Sequence, residues 1–330
     1  MPAMGRGFAV IWRRVRRGWA VSRGLRRSTF TVLAVVCVAG GVTGAAGMYQ
    51  YADTFWQYRG YAAPALPPGV PAPTVTTITV VSPALGGYRD KVVVMLPPGY
   101  AKDTKRRYPV LYLLHGFPAK PTDFFAVGDL ESAYARGLAD GTMRPMIFVA
   151  PSGARALFDD TEWANGVSQQ NQWETFVARD LVNAIDARYR TIRSASARGL
   201  AGYSEGGYAV LNIGLHHPGE FGLIESWSGY MLEDVPALFG HRKALERYNS
   251  PSLYLLSAAR KIRASRTFIW FYCGTADADA RQNRAFAAEL TRLKIPHYFF
   301  WQQGVGHTWA LWRDLMPLSV ITASDRLSHV

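Results

Sequence analysis

The chain has 330 residues, 49% of them hydrophobic and 13% aromatic. That supply of apolar side chains excludes global disorder and is enough for one large domain or two small ones. The net charge of +13 would suggest a polyanionic partner, but eight arginines (Arg6, Arg13, Arg14, Arg16, Arg17, Arg23, Arg26 and Arg27) lie within residues 1–29, without one acidic residue. Setting those eight aside leaves +5 for the rest, an ordinary balance for a globular domain, so no nucleic-acid partner is expected.

Residues 1–29 read as a basic cytoplasmic segment. Within it Phe8, Ile11, Trp12, Val15 and Trp19 recur at helical spacing among arginines, a pattern suited to the surface of an anionic inner leaflet. From Ser28 to Ala52 no residue is charged. Residues 30–50 therefore read as a transmembrane signal-anchor helix, close to the ~20 residues needed to cross hydrocarbon. The preceding arginines place the N-terminus in the cytoplasm and everything after Asp53 outside, on a single-pass protein of the cell membrane. Two alternatives would release the domain. Small residues around Thr43 to Ala46 form a possible signal-peptidase site, and Leu25-Arg26-Arg27-Ser28 is a degenerate twin-arginine signal. Residues 51–74 form a tether in which Pro64, Pro67, Pro68, Pro71 and Pro73 favour extended, solvated backbone.

A globular domain is expected over residues 75–330. The β-branched runs Thr76 to Val81 and Lys91 to Leu96, joined through Pro83 to Gly87, predict an antiparallel hairpin. After it, strands alternate with helices. Strands are expected at Val110 to Leu114, Met146 to Ala150, Arg198 to Ala201, Leu223 to Trp227, Phe268 to Cys273 and His297 to Trp301. Helices are expected at Gly128 to Leu138, Gln172 to Tyr189, Gly206 to His216 and Asn283 to Leu293. This alternation implies an α/β fold: a mostly parallel sheet covered by helices, opened by an antiparallel hairpin. Tyr230 to Arg266 is a long mixed insertion suited to a lid or cleft wall. Cys37 and Cys273 are not expected to meet, and no Cys-x-x-Cys site is present.

Gly202-Tyr203-Ser204-Glu205-Gly206 is a G-x-S-x-G pentapeptide between an apolar strand and a helix. By itself it is weak evidence, because Gly/Ser turns also occur for structural reasons. In a strand-turn-helix setting the tight turn lifts the serine hydroxyl above the sheet and aims helix N–H groups at a developing oxyanion. Two further candidates end later strands. Asp277 and Asp279 follow Phe271 to Ala276, and His307 follows in Gln303-Gly-Val-Gly-His307. The order Ser, Asp, His is the one the hydrolase topology requires. Ser204 is thus the candidate nucleophile and His307 the base, with Asp277 as orienting acid because it is nearer its strand end than Asp279. The oxyanion donors are expected to be the N–H groups of Glu205 and Phe117, the latter after Leu114-His115-Gly116. His115 reads as a turn residue, not a second base. Trp301, Trp309 and Trp312 flank the histidine as core packing or as an acyl pocket. Asp160, Glu162 and Trp163 read as a cleft rim or a solvated loop.

Leu-Leu-His-Gly after a strand, Gly-Tyr-Ser-Glu-Gly-Gly, Cys-Gly-Thr-Ala-Asp and Gly-His-Thr-Trp-Ala-Leu-Trp together resemble the esterase family of α/β-hydrolases. That family includes esterase D, enterochelin esterase-like and feruloyl esterases, and the antigen 85 mycolyltransferases. The resemblance covers roughly residues 75 to 315. It implies serine-dependent cleavage or transfer of an acyl ester, with no metal or organic cofactor. It also implies the roles given above to Ser204, Asp277, His307, Phe117 and Glu205. The antigen 85 branch lacks a full G-x-S-x-G and uses a glutamate acid, so the resemblance does not extend to mycolyl transfer to trehalose. The expected function is a membrane-anchored extracytoplasmic serine esterase acting on an acyl ester, including esters of lipids or envelope glycolipids. The alternatives are an acyltransferase moving the acyl group to a sugar or lipid hydroxyl, and a non-catalytic binding protein on the same fold.

Overall fold

A computed structural model describes residues 65–328, apart from 67 and 157. The basic segment, the predicted span at 30–50 and most of the tether lie outside the described residues. Among the described residues no helix is long and apolar enough to cross a membrane.

The hairpin forms as expected. Strands β1 (Thr74–Ser82) and β2 (Tyr88–Leu96) pair antiparallel, with Thr74 opposite Leu96 and Ser82 opposite Tyr88. The turn between them places Gly86 and Gly87 at φ 66° and 84°, a left-handed pair that side chains with a Cβ adopt at a cost. Strands β3 (Val110–Leu114), β4 (Ile147–Pro151), β5 (Arg198–Tyr203), β6 (Leu223–Trp227), β7 (Phe268–Gly274) and β8 (His297–Gln302) complete one eight-stranded sheet. Its order is β1-β2-β4-β3-β5-β6-β7-β8, antiparallel at β1 and β2 and parallel elsewhere. All five residues of β3, and all of β4, β5 and β6, are buried. This burial on both faces is why their sequences read as unbroken apolar runs.

Helices cover both faces. One layer holds α2 (residues 173–188), α3 (Glu205–His216), α5 (Pro251–Ser265) and α6 (Ala280–Arg292), which share a core with Val110, Tyr112 and Leu114 of β3. Leu111 and Leu113 point to the other face, by the alternation of a strand. That face is covered by α1 (Leu130–Ala139) and α7 (Trp309–Arg326), which pack on each other. Each large apolar side chain so buried contributes about 1.5–3 kcal/mol.

Two segments differ from the sequence reading. The middle of α2, Phe176–Leu181, is a π-helical turn, which a 3.6-residue period does not express. Its Asp180 reaches the hairpin turn, where Oδ2 accepts the Ser82 hydroxyl at 2.6 Å and the Ala84 N–H at 3.0 Å. The insertion at Tyr230 to Arg266 is largely helical, holding α4 (Lys243–Tyr248) and α5. Pro251 starts α5, and Leu255, Ala259 and Ile262 are buried at helical spacing along it.

Candidate active site

Ser204 stands between β5 and α3 at φ 57° and ψ −124°, a conformation costing a residue with a Cβ about 1–3 kcal/mol. Neighbouring backbone holds it there. The Ser204 N–H donates to the Trp227 carbonyl at 3.0 Å, and the Ser204 carbonyl accepts the Tyr208 N–H at 3.0 Å. The glycines are required by closeness. A Cβ on Gly206 would lie 1.9 Å from the Leu114 carbonyl oxygen, and one on Gly116 would lie 2.8 Å from the Ser204 Cβ. So α3 leaves the elbow pressed against the end of β3, and the loop after β3 runs directly beside the serine.

The ends of β7 and β8 bring the other two candidates to it. Ala276 N–H donates to the Val305 carbonyl at 3.0 Å and Thr275 N–H to the Gln302 carbonyl at 2.9 Å, lacing the two loops together. His307 Nε2 then lies 2.8 Å from the Ser204 Oγ, and His307 Nδ1 lies 2.8 Å from the Asp277 Oδ2. Asp279 does not reach the imidazole. Its own N–H donates to the other Asp277 oxygen at 3.0 Å, and its carboxylate accepts from Gln282 at 2.9 Å. Burial opposes ionisation of Asp277, but His307, the Asp279 N–H and the Cys273 thiol all favour the carboxylate and hold its pKa below the usual value. An ionised Asp277 makes Nδ1 the protonated imidazole nitrogen and leaves Nε2 to accept the serine hydroxyl.

Glu205 is the first residue of α3, so its N–H has no acceptor within the helix and points out at the elbow. Phe117 follows Gly116 at the mouth and is 40% exposed. These are the two backbone positions expected to receive an oxyanion. His115 is buried, with Nδ1 2.8 Å from the Gly116 carbonyl and Nε2 2.6 Å from the Ser152 carbonyl. Burial lowers its pKa, and its contacts tie the turn after β3 to the end of β4.

Of the three tryptophans, Trp309 and Trp312 are buried against Tyr203, and Trp312 meets the His307 ring edge-on at 5.0 Å. Trp312 Nε1 also donates to the Ser228 Oγ at 3.3 Å, so one side chain both fills the core and backs the imidazole. Trp301 packs on Phe299 along β8.

Neither reading of the loop at Asp160 to Trp163 survives at its centre. Glu162 and Trp163 are each only 1% exposed, at φ 50° and 51°. Trp163 Nε1 donates to the His115 carbonyl at 3.1 Å, and Thr161 Oγ1 donates to the Gly153 carbonyl at 2.8 Å. These partners tie the loop to the turn after β3 and to the end of β4. The sequence also gave no sign that the Glu205 side chain folds inward beside Glu162. Burial, together with neighbouring carboxylates, raises both carboxyls well above their usual range, and Tyr230 donates its hydroxyl to Glu162. Cys273 likewise passed as an ordinary strand residue, although its thiol faces Asp277. Among the described residues, no group of three or more His, Cys, Asp or Glu side chains is placed to hold a metal ion.

The family model described as "Putative esterase" matches residues 82–322. Among curated proteins, Esterase Rv1288 of Mycobacterium tuberculosis is 33% identical over 147 residues, 43% of this chain and 30% of that protein. An endo-1,4-beta-xylanase/feruloyl esterase of Xylanibacter ruminicola is 33% identical over 148 residues, 43% of this chain and 20% of that protein. The MPT51/MPB51 antigen of Mycobacterium tuberculosis is 29% identical over 182 residues, 52% of this chain and 51% of that one. The chain thus spans about half or less of the length of these relatives. Among solved structures, a ferulic acid esterase superposes with a TM-score of 0.68 at 23% identity, covering 78% of this chain and all of that one. The Staphylococcus aureus serine hydrolase FphF gives 0.65 at 16% identity, covering 77% of this chain and 99% of that one. These two likenesses concern the fold. With the family match running through every strand of the sheet from β2 to β8, and through the elbow and both loops that meet at it, the chain belongs to the esterase family of α/β-hydrolases.

Proposed function

We propose that the chain is a serine ester hydrolase that works through an acyl-enzyme. The observation that carries this reading is the unbroken hydrogen-bonded line from Ser204 Oγ through His307 to Asp277, at 2.8 Å in both links, on a strained elbow. In the first half-reaction Ser204 Oγ attacks the ester carbonyl while its proton passes to His307 Nε2. Asp277 stabilises the imidazolium and fixes its tautomer. The carbonyl oxygen, now an oxyanion, takes hydrogen bonds from the Glu205 and Phe117 N–H groups. The tetrahedral intermediate collapses, His307 returns the proton to the departing alkoxide, and the acyl group stays on Ser204. Water activated by the same imidazole then releases the acid.

The mouth favours an uncharged acyl group. The loops after β4 and β6 at this edge carry Asp160 and Asp234, both close enough to Glu205 to raise its carboxyl pKa, so a substrate carboxylate there would be repelled. An apolar uncharged acyl chain beside Phe117 would not. The proposed location follows from the sequence: a domain held outside the cell membrane by residues 30–50, acting on esters of the envelope.

Fluorophosphonate labelling tests the reaction. Wild-type chain is expected to label once and to hydrolyse p-nitrophenyl esters. Ser204→Ala should lose the label and on the order of 10³-fold or more of kcat while keeping its circular dichroism. A folded Ser204→Ala with near-native turnover would sink the mechanism. Product analysis with sugar and lipid hydroxyls present separates hydrolysis from acyl transfer.

A further inference from the structure

Charge differs between the two ends of the sheet. The carboxyl ends of the strands carry the acidic mouth. At the opposite edge, where the parallel strands begin, the loop before β3 carries Lys105, Arg106 and Arg107, and the loop before β5 carries Arg193. Between these loops lies a cleft of about 370 Å³ lined by Lys105, Arg106, Arg107, Thr191, Ile192 and Arg193. No carboxylate lines it.

The walls are fixed by backbone pairing. Tyr108 N–H donates to the Arg190 carbonyl and Ile192 N–H to the Tyr108 carbonyl, both at 2.9 Å. The nearby acids are occupied elsewhere. Asp103 accepts the backbone N–H groups of Lys105 and Arg106 at 3.3 and 3.1 Å, and Asp186 accepts from Arg198 and the Thr191 hydroxyl at 2.6 Å each. Arg107 donates to the Thr191 carbonyl at 3.1 Å, Arg193 to the Asp186 carbonyl, and Arg106 lies over the Tyr108 ring. Among the described residues, none of the four cations is paired with a carboxylate side chain. Four like charges around one small cleft repel unless an anion joins them, and guanidinium forks match phosphate oxygens.

The path of the chain favours one source of phosphate. Thr74 opens β1 opposite Leu96, and the register from β2 through β4 continues to Val110, so all three lie on the edge that bears the cleft. Three strand spacings separate Thr74 from Val110, about 14 Å. The residues before Thr74 therefore join the domain at its basic edge.

We propose that this cleft binds the phosphate of an anionic phospholipid head group and seats the base of the domain on the bilayer. The proposal rests on the anchored reading of the chain. Tethering makes weak head-group binding sufficient, because the effective lipid concentration is high. It also turns Ser204, at the opposite edge, away from the membrane. The ester must then come from the side facing away from the bilayer, not from within the lipid layer.

The test uses the full chain in nanodiscs of phosphatidylcholine alone or mixed with phosphatidylglycerol. Lys105 acetylation by a water-soluble amine reagent is read by mass spectrometry against Lys91, an exposed lysine of β2. Lys105 should label several-fold more slowly in the anionic discs, with Lys91 unchanged. High salt should remove that protection, and so should the double variant Arg107→Gln/Arg193→Gln, whose ester turnover should stay native. Equal Lys105 labelling in the two discs overturns the proposal. Equal protection by inorganic phosphate, with the chain in neutral detergent, would make this a soluble-phosphate site and overturn the bilayer assignment. Anchoring is read separately, from co-purification with the neutral discs. If the chain stays out of those discs the anchor reading fails, and the cleft is then judged on preformed anionic vesicles by the same Lys105 readout.

Discussion

Asp277→Asn is the sharpest probe of the candidate site, because Asp279 stands two residues away as its internal control. The Asp277 Oδ2 is 2.8 Å from His307 Nδ1, which puts the carboxylate and imidazolium charge centres about 4 Å apart. At an effective dielectric constant of about 20, their attraction is about 4 kcal/mol. It is present when the imidazolium forms and absent when the ring is neutral, so losing it raises the barrier by a similar amount. At about 1.4 kcal/mol per decade that is roughly 10³-fold in kcat. The asparagine amide would also favour the tautomer with the proton on Nε2, which can no longer accept the serine proton. The expected loss is therefore on the order of 10²–10⁴-fold. Asp279→Asn should change kcat little, since its carboxylate bonds Gln282 and not the imidazole. Steady-state turnover of a p-nitrophenyl ester measures both, with circular dichroism as the folding control. A folded Asp277→Asn within a few-fold of native, or a larger loss from Asp279→Asn, would refute the reasoning.

Three further outcomes follow from the geometry. Gly206→Ala would press a Cβ to 1.9 Å from the Leu114 carbonyl oxygen, so its Tm should fall by several degrees and its fluorophosphonate labelling should slow; a native Tm with native labelling would contradict the packing described. Asp90 is fully buried, and burial, opposed by hydrogen bonds from Ser152, pushes its pKa from 3.8 up to about 7. A raised carboxyl pKa stabilises the fold fully below pH 3.8, and this contribution of about 4 kcal/mol is lost as pH rises through about 7. Asp90→Asn should therefore lose less Tm than the wild type between about pH 4 and pH 7, the window set by that shift, and parallel melting curves would rule the assignment out. For topology, the full-length chain should remain with membranes at high salt and need detergent for release; external protease should digest residues 75–330 in cells whose outer wall has been opened, and protection of the domain alongside a cytoplasmic marker would reverse the orientation.

The sequence by itself was enough for the features whose causes are local. β3 to β6 are buried on both faces, so their residues form apolar runs that read as strands without any knowledge of their neighbours. The hairpin is written in its β-branched runs and its Gly86-Gly87 turn. The elbow is a short motif whose glycines are demanded by contacts within a few residues and with the adjoining strand. Strand-end placement also brings Ser204, the pair Asp277 and Asp279, and His307 forward as candidates, because in a parallel sheet every strand's carboxyl end reaches the same edge. What the tertiary structure alone decided lies between residues far apart in the chain. The preference for Asp277 over Asp279 became a geometric difference only when the loops after β7 and β8 were laced together. Glu162 and Trp163, polar and aromatic in a glycine-rich loop, carry no mark of burial; a His115 carbonyl 48 residues away and a Tyr230 hydroxyl 68 residues away draw them in. The π-helical turn in α2 is held where Asp180 meets a hairpin turn nearly 100 residues earlier. The basic cleft is assembled from two loops 84 residues apart, joined at Arg107 and Thr191. Propensity and periodicity express what a residue needs from its immediate neighbours. They do not express which distant polar group will satisfy it, and in this protein that long-range pairing builds the surroundings of Ser204.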